Sequence, residues 1–276
     1  MARRSPTIFG STRRPRKPEL SPTRIKTFLI CRMMYRLEYV ERVGRFYHRA
    51  NPGYAFGSTL HQTLQRFHEA GGAEALSADE LIAHLDLSWQ SQGYQDVAHE
   101  TAERAEAVRI LQAYHAAARD EAETRTFLTE KVLKLDMGAF VLTGRIDRID
   151  EHESDGSLEI IDYKSGRSQV TSQDVQDSLA MAIYQLLVKR NWPERRVFAT
   201  IVALRTGEAA SAVYSDDELA EFEEEIGGVG LEIIETDFES VVPVPLRDAC
   251  PDCDFLRLCS RTWQREKRPW KQELEM

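Results

Sequence analysis

No apolar run in this 276-residue sequence approaches the roughly 18 to 20 residues needed to span a bilayer. The longest candidate, FLICRMMY at 28–35, is broken by Arg32. The N-terminus lacks the apolar core of a secretory signal, and Pro6, Pro15 and Pro18 would spoil an amphipathic transit helix. A soluble, cytoplasmic chain with no membrane partner is expected. Cysteine is scarce, 4 residues in all, so a disulfide scaffold is not expected in a chain of this length without an export signal. No GxxxxGK phosphate loop occurs, so any coupled unwinding of nucleic acid must come from a partner. There is no internal repeat.

What is present is an ordinary globular composition, 42% hydrophobic and 29% charged, with charge unevenly spread. Residues 1–20 carry Arg3, Arg4, Arg13, Arg14, Arg16 and Lys17 against Glu19, a net of +5 in a chain of −9. This reads as a basic, disordered arm on an acidic body.

Helical spacing dominates the first half. Ser21 as N-cap and Pro22 at the first position open a helix through LSPTRIKTFLICRMMYRLEYV, with Cys31 inside it. NPGYAFG reads as a loop before a helix capped by Ser58, with Leu60, Leu64 and Phe67 on its apolar face and Gly71 and Gly72 at its end. Ser77 and Glu80 form a capping-box pattern, and a long helix covers about 96–122. The period then changes. TEKVLKLDMGAFVLTGRIDRID reads as two strands around a turn at Asp136, Met137 and Gly138, and LEIIDYK as a third antiparallel strand. SQDVQDSLAMAIYQLLVKR follows as a helix, RRVFATIVALRTG as a strand, and SDDELAEFEEEIGGVGLEII as a capped helix interrupted by glycines.

The strand segment GRIDRIDEHESDGSLEIIDYKSGR, 144–167, carries charges where aliphatic residues would pack. Side chains alternate along a strand, so Asp162 and Lys164 project together while Tyr163 projects oppositely. A two-residue loop at Ser154 and Asp155 would pair Asp147 with Asp162, and one at Asp155 and Gly156 would pair Asp147 with Lys164. Facing carboxylates repel, and a divalent cation removes the conflict. Carboxylate oxygens suit Mg²⁺ or Mn²⁺, which accept water and phosphate oxygens as further ligands, while Lys164 orients water or stabilises charge on phosphate. Solvated acids paired with Arg145, Arg148 and Lys164 are the alternative.

Three of the cysteines lie close together in CPDCDFLRLC, Cys250, Cys253 and Cys259, with Cys31 far upstream. A site needing four thiolates explains them together; both zinc and iron–sulfur clusters accept such a set, and spacing alone favours zinc, the commoner structural four-cysteine site.

GRIDRID followed by IIDYKSG resembles the core of the PD-(D/E)XK nuclease superfamily, in the form seen in RecB-like nucleases. The resemblance covers roughly residues 21–263. It implies an α/β restriction-endonuclease-like core, a mixed central sheet flanked by helices, with a helical insertion near 75–125 and a short C-terminal tail from 264. It implies Asp147 and Asp162 as metal-binding catalytic acids, Lys164 as the catalytic lysine, the Tyr163 backbone carbonyl as a further ligand, and His61 in FGSTLHQTLQRF as a metal-binding histidine. Members place Gln four residues before a Tyr on the helix after DYK; here Tyr184 is preceded by Ala180, with Gln176 on the same helix face and Gln185 nearby. Tyr184 is then a candidate DNA contact. One Cys before the core and three after it is similar to the 4Fe-4S staple of the AddB subunit and of CRISPR-adaptation nucleases, which favours that cluster over zinc for Cys31, Cys250, Cys253 and Cys259.

The function implied is metal-dependent hydrolysis of single-stranded or end-exposed DNA in repair, recombination or CRISPR adaptation, beside a helicase or another repair or adaptation protein. The alternative is a catalytically weak nuclease fold that binds DNA or a partner around a structural zinc or iron–sulfur site.

Overall fold

The computed structural model describes residues 16–118, 124–166 and 169–265. Most of the expected basic arm, including Arg3, Arg4, Arg13 and Arg14, and the C-terminal tail beyond 265 lie outside the described residues. A two-residue strand β1 (Glu19–Leu20) leads into α1 (Pro22–Ile30), opened by Pro22 and capped by Ser21, which accepts a hydrogen bond from Arg24 N. The helix does not continue through Cys31 as the spacing suggested. Cys31 is extended (φ −159°, ψ 113°), and its thiol caps the next helix, α2 (Arg32–Tyr35), by accepting from Met34 N at 3.4 Å. The break lets Phe28 join the main core while Met33 packs with Leu37 and Phe255. A π-helical turn (Arg36–Val40) and a 3₁₀ turn (Gly44–Phe46) follow.

NPGYAFG is helical rather than a loop. Asn51 Oδ1 accepts from Gly53 N and Tyr54 N, Pro52 takes the first position, and α3 runs Pro52–Glu69. The glycine that resembled a loop residue serves close approach instead: a Cβ on Gly57 would lie 2.8 Å from Ser165 Oγ. Short α4 (Gly72–Ala75), α5 (Ala78–Ser88) with its Ser77–Glu80 capping box, and α6 (Val97–Ala118) come next. They bury Leu81, Leu85 and Leu111 against Phe56, Leu60, Leu64 and Phe67 of α3.

β2 (Thr124–Asp136), β3 (Val141–His152) and β4 (Leu158–Lys164) pair antiparallel as expected. The predicted single helix after them is two. α7 (Ser172–Gln176) ends at Asp177, and Ser178 caps α8 (Leu179–Asn191) by accepting from Met181 N, so Gln176 does not share a face with Ala180 and Tyr184. β5 (Val197–Ala203) runs parallel to β4, and β6 (Glu208–Ala212), a strand the sequence pattern did not signal, returns antiparallel. α9 (Asp216–Glu235) is continuous despite its glycines, and α10 (Leu256–Arg265) follows the cysteine-bearing loop.

The result is the expected mixed α/β architecture, a six-stranded sheet of order β1-β3-β4-β5-β6 with β2 on the other edge of β3. Even-numbered residues Leu158 and Ile160 of β4 join Ile183, Leu186 and Leu187 of α8 in one core, and Ile161 and Tyr163 join Leu60 and Leu64 of α3 in the other. One edge of β3 is shared: β1 pairs at Val141–Leu142 and β4 only at Arg148–Glu151. Residues 143–147 between them face a gap. No described helix is long and apolar enough to cross a membrane.

The glycines of α9 allow contact with the β2–β3 turn, since a Cβ on Gly230 would come within 2.2 Å of the Phe140 ring. Gly230→Ala should therefore destabilise the protein by about 1–3 kcal/mol through overpacking. The check is urea denaturation, with a lower midpoint at an unchanged slope.

Candidate active site

The gap beside β3 exists because the β3–β4 ladder stops one pair short of the acids. The last pair is Arg148 with Ile161, a register that sets Asp147 opposite Asp162 rather than Lys164. Instead of a further backbone bond, Tyr163 N donates to Asp147 Oδ2 at 3.0 Å. The strands part there, and polar side chains occupy the space.

α3 supplies the histidine. His61 lies with Nδ1 3.2 Å from Asp147 Oδ1 and Nε2 3.0 Å from the Tyr163 carbonyl oxygen. Both acceptors lack protons, so the geometry suits an imidazolium donating to each. Burial works against that charge but is outweighed by the hydrogen bond and charge of Asp147, helped by Asp162 and Glu130, and the His61 pKa is raised. On β4, Asp162 is buried at 6% exposure, with Lys164 Nζ 2.5 Å from its Oδ2. That contact supplies charge without hydrogen-bond alignment, and Oδ2 accepts no hydrogen bond. Burial raises the Asp162 pKa, and Asp147 adds to the rise while Lys164 opposes it.

A third acid, Glu130 of β2, was not singled out by the sequence pattern. The register of Thr129 with Arg148 and Lys131 with Ile146 puts it opposite Asp147. It is the only strand residue with a positive φ outside glycine among the described residues, at 46°, a left-handed backbone kink of the kind that gathers at functional sites. Burial and then Asp147 push its pKa up, against Arg145, which pairs with it. One donor atom each from His61, Glu130 and Asp147 lie within 4.8 Å of one another. The signal was present in the turn at Asp136–Gly138, because pairing outward from Asp136 and Val141 reaches Glu130 and Asp147.

From the other side of the sheet, Tyr184 of α8 packs against Gly144 in the gap, where a Cβ would be 2.9 Å from its ring. Its hydroxyl pKa is pushed up by burial and then by Asp162, Asp147 and Glu130. Gln185 does not replace the amide missing at Ala180: it is buried and accepts from Tyr214 N at 3.1 Å. The structure thus brings His61, Asp147, Asp162, Tyr163, Lys164 and Tyr184 to one gap.

The four cysteines gather elsewhere. Cys31, Cys250, Cys253 and Cys259 line one pocket with Met33, Met34, Pro243 and Pro245. Leu246 N donates to Cys250 Sγ at 3.2 Å, as Met34 N does to Cys31. Burial, then the neighbouring thiols, push the Cys259 pKa up to about 12. Among the described residues no three thiol sulfurs lie within 4.8 Å of one another.

No curated protein sequence matches the chain. Among solved structures, a protein from Eubacterium rectale provisionally named an exonuclease aligns over 86% of each chain with a TM-score of 0.51 at 15% identity, a likeness of fold. A second, SSO0001, aligns over 84% of this chain and 95% of that one, at 11% identity with a TM-score of 0.32, too remote to inform the fold. The family model of the PD-(D/E)XK nuclease superfamily matches residues 19–260, which takes in every strand of the sheet and all the residues gathered at its gap, and the chain belongs to that superfamily.

Proposed function

We propose that the chain is a metal-dependent deoxyribonuclease of the RecB-like kind with a four-cysteine iron–sulfur staple. The observation that carries the reading is the convergence of His61, Glu130 and Asp147 within 4.8 Å, with Asp162 and Lys164 alongside: three carboxylates and an imidazole in a half-buried gap. Nuclease superfamily members of this type use Mg²⁺ or Mn²⁺, and one imidazole among carboxylates tilts the donor set toward Mn²⁺.

Asp147, Asp162, His61 and the Tyr163 carbonyl would hold the ion, with Glu130 contributing a further oxygen. The bound cation supplies a lowered water pKa and neutralises phosphate charge. Lys164, at the mouth with 39% of its side chain exposed, donates hydrogen bonds to a phosphate oxygen or to the attacking water. Tyr184 flanks the site opposite His61 and is the candidate DNA contact there. Because the site opens where two strands part, single-stranded or end-exposed DNA is the substrate proposed. The setting is repair, recombination or CRISPR adaptation, with a helicase or similar protein as partner.

The resemblance of one Cys ahead of the core and three in CPDCDFLRLC behind it to iron–sulfur staples supports the cluster over zinc, and all four thiols line one pocket. The cluster's role is structural: it ties Cys31, ahead of the core, to the segment 250–259 behind it.

Anaerobically purified protein should degrade end-labelled single-stranded DNA in Mn²⁺, and Asp162→Ala and Lys164→Ala should each lower the rate by ~10²-fold or more. Equal activity in all three would leave a binding subunit instead. Glu130→Gln should raise the Mn²⁺ concentration for half-maximal rate about tenfold.

The same preparation should be brown and contain iron and acid-labile sulfide in equal amounts; zinc in their place would overturn the cluster assignment.

In EDTA, the stability advantage of wild type over His61→Asn should be full below the unfolded histidine pKa of about 6.5 and disappear as pH rises through the raised folded value. Thermal melts of both proteins between pH 5.5 and 9 measure this.

A further inference from the structure

The segment between the cysteine pocket and α3 is pinned at its base and charged on its outside. Val43 and Tyr47 pack into the small core with Phe255 and the cysteines. His48 lies between Glu38 Oε2 at 2.9 Å and Asp254 Oδ2 at 3.0 Å. Gly44 sits so close beneath that a Cβ would be 2.2 Å from Glu38 Oε2 and 2.7 Å from His48 Nε2.

Held this way, the segment turns Arg42, Arg45, Phe46 and Arg49 outward, all exposed, Phe46 at 69%. Arg42, Arg45 and Arg49 pair with no carboxylate among the described residues, whereas Arg32, Arg36, Arg104, Arg125, Arg190 and Arg195 each do. Three unneutralised guanidinium groups within eight residues stand out in a chain of net charge −9. The Arg45 guanidinium lies over the Phe46 ring, 4.6 Å from its centroid.

Just beyond, Tyr54 in the first turns of α3 is 78% exposed. It precedes His61 by seven residues, two helical turns, so both lie on one face of α3 about 10 Å apart along its axis. An exposed ring and the metal-site histidine therefore share one face of α3, and the row of cations ends five residues before that ring in the chain.

We infer that Arg42, Arg45, Phe46, Arg49 and Tyr54 form a stacking platform for single-stranded DNA, which leads the strand along α3 to the gap at His61. Unpaired bases offer faces to Phe46 and Tyr54, and the arginines meet the phosphates. A duplex keeps its base faces stacked internally and gains only the phosphate contacts. The inference rests on the nuclease reading for its destination, but binding itself is read without hydrolysis.

The test is fluorescence anisotropy of labelled oligothymidylate with the full chain in EDTA, alongside a duplex of equal length. Phe46→Ala and Tyr54→Ala should each weaken oligothymidylate binding about 5- to 100-fold, Tyr54→Phe should restore wild-type affinity, and duplex binding should change little. Replacing Arg42, Arg45 and Arg49 together by Gln should lower the slope of log Kd against log salt by about 2. Arg196→Gln, exposed and outside the platform, should not. Unchanged melting temperatures show that the variants fold. Wild-type affinity in both alanine variants, or equal losses on duplex and single strand, would overturn the platform. A wild-type protein that binds as described but cleaves nothing in Mn²⁺ would instead sink the hydrolase reading.

Discussion

Asp147, Asp162 and Glu130 share the space where β3 and β4 separate, and burial and the charge of Asp147 both act against the ionised forms of Asp162 and Glu130. Two like charges about 5 Å apart repel by roughly 3–4 kcal/mol at an effective dielectric constant near 20. That is a large part of the 5–15 kcal/mol that holds a typical domain folded. The surroundings answer with positive groups from four directions: His61 from α3, Lys164 from β4, Arg145 from β3, and backbone N–H donation from Tyr163. Three acids thus meet three cationic side chains, and the balance holds only while His61 keeps its proton; a divalent cation in the gap would supply charge in its place, and the rest of the fold keeps these groups together.

Two cores clamp the gap from opposite faces. α8 presses Tyr184 and Leu187 onto Gly144, where no side chain larger than hydrogen fits without displacement. α3 leans on the turn after β4 through Gly57 and Ser165. Behind Tyr163, the phenol is held by Tyr114 at 2.8 Å and by Arg148 at 3.1 Å, and Arg148 in turn pairs with Asp150. The strand carrying Asp162 and Lys164 is fixed on both sides of its backbone, so the Tyr163 carbonyl stays aimed at His61.

Much of this was legible in the sequence because strand alternation is local. The spacing of Asp162 and Lys164 alone puts them on one face, and the capping patterns at Ser21, Ser77 and Ser215 mark true helix starts. Other features depended on tertiary choices. NPGYAFG looks like a loop until Asn51 is seen as the cap, and Cys31 looks helical until its thiol is needed in a pocket with residues more than 200 positions away. The glycines of α9 resemble breaks, yet Gly230 exists for Phe140. Glu130 escaped notice because its role follows from hairpin register across two strands, not from any motif around it.

The hydrogen bond between His61 and the Tyr163 carbonyl joins residues 102 positions apart. An isolated β3–β4 ribbon would present acids without the imidazole, and α3 alone would present the imidazole without the acids. Neither piece has a private ion site, and loop-closure cost defers their meeting until the sheet has assembled. The assembled gap is thus a property of the finished tertiary structure, closed to any chain that has folded only in part.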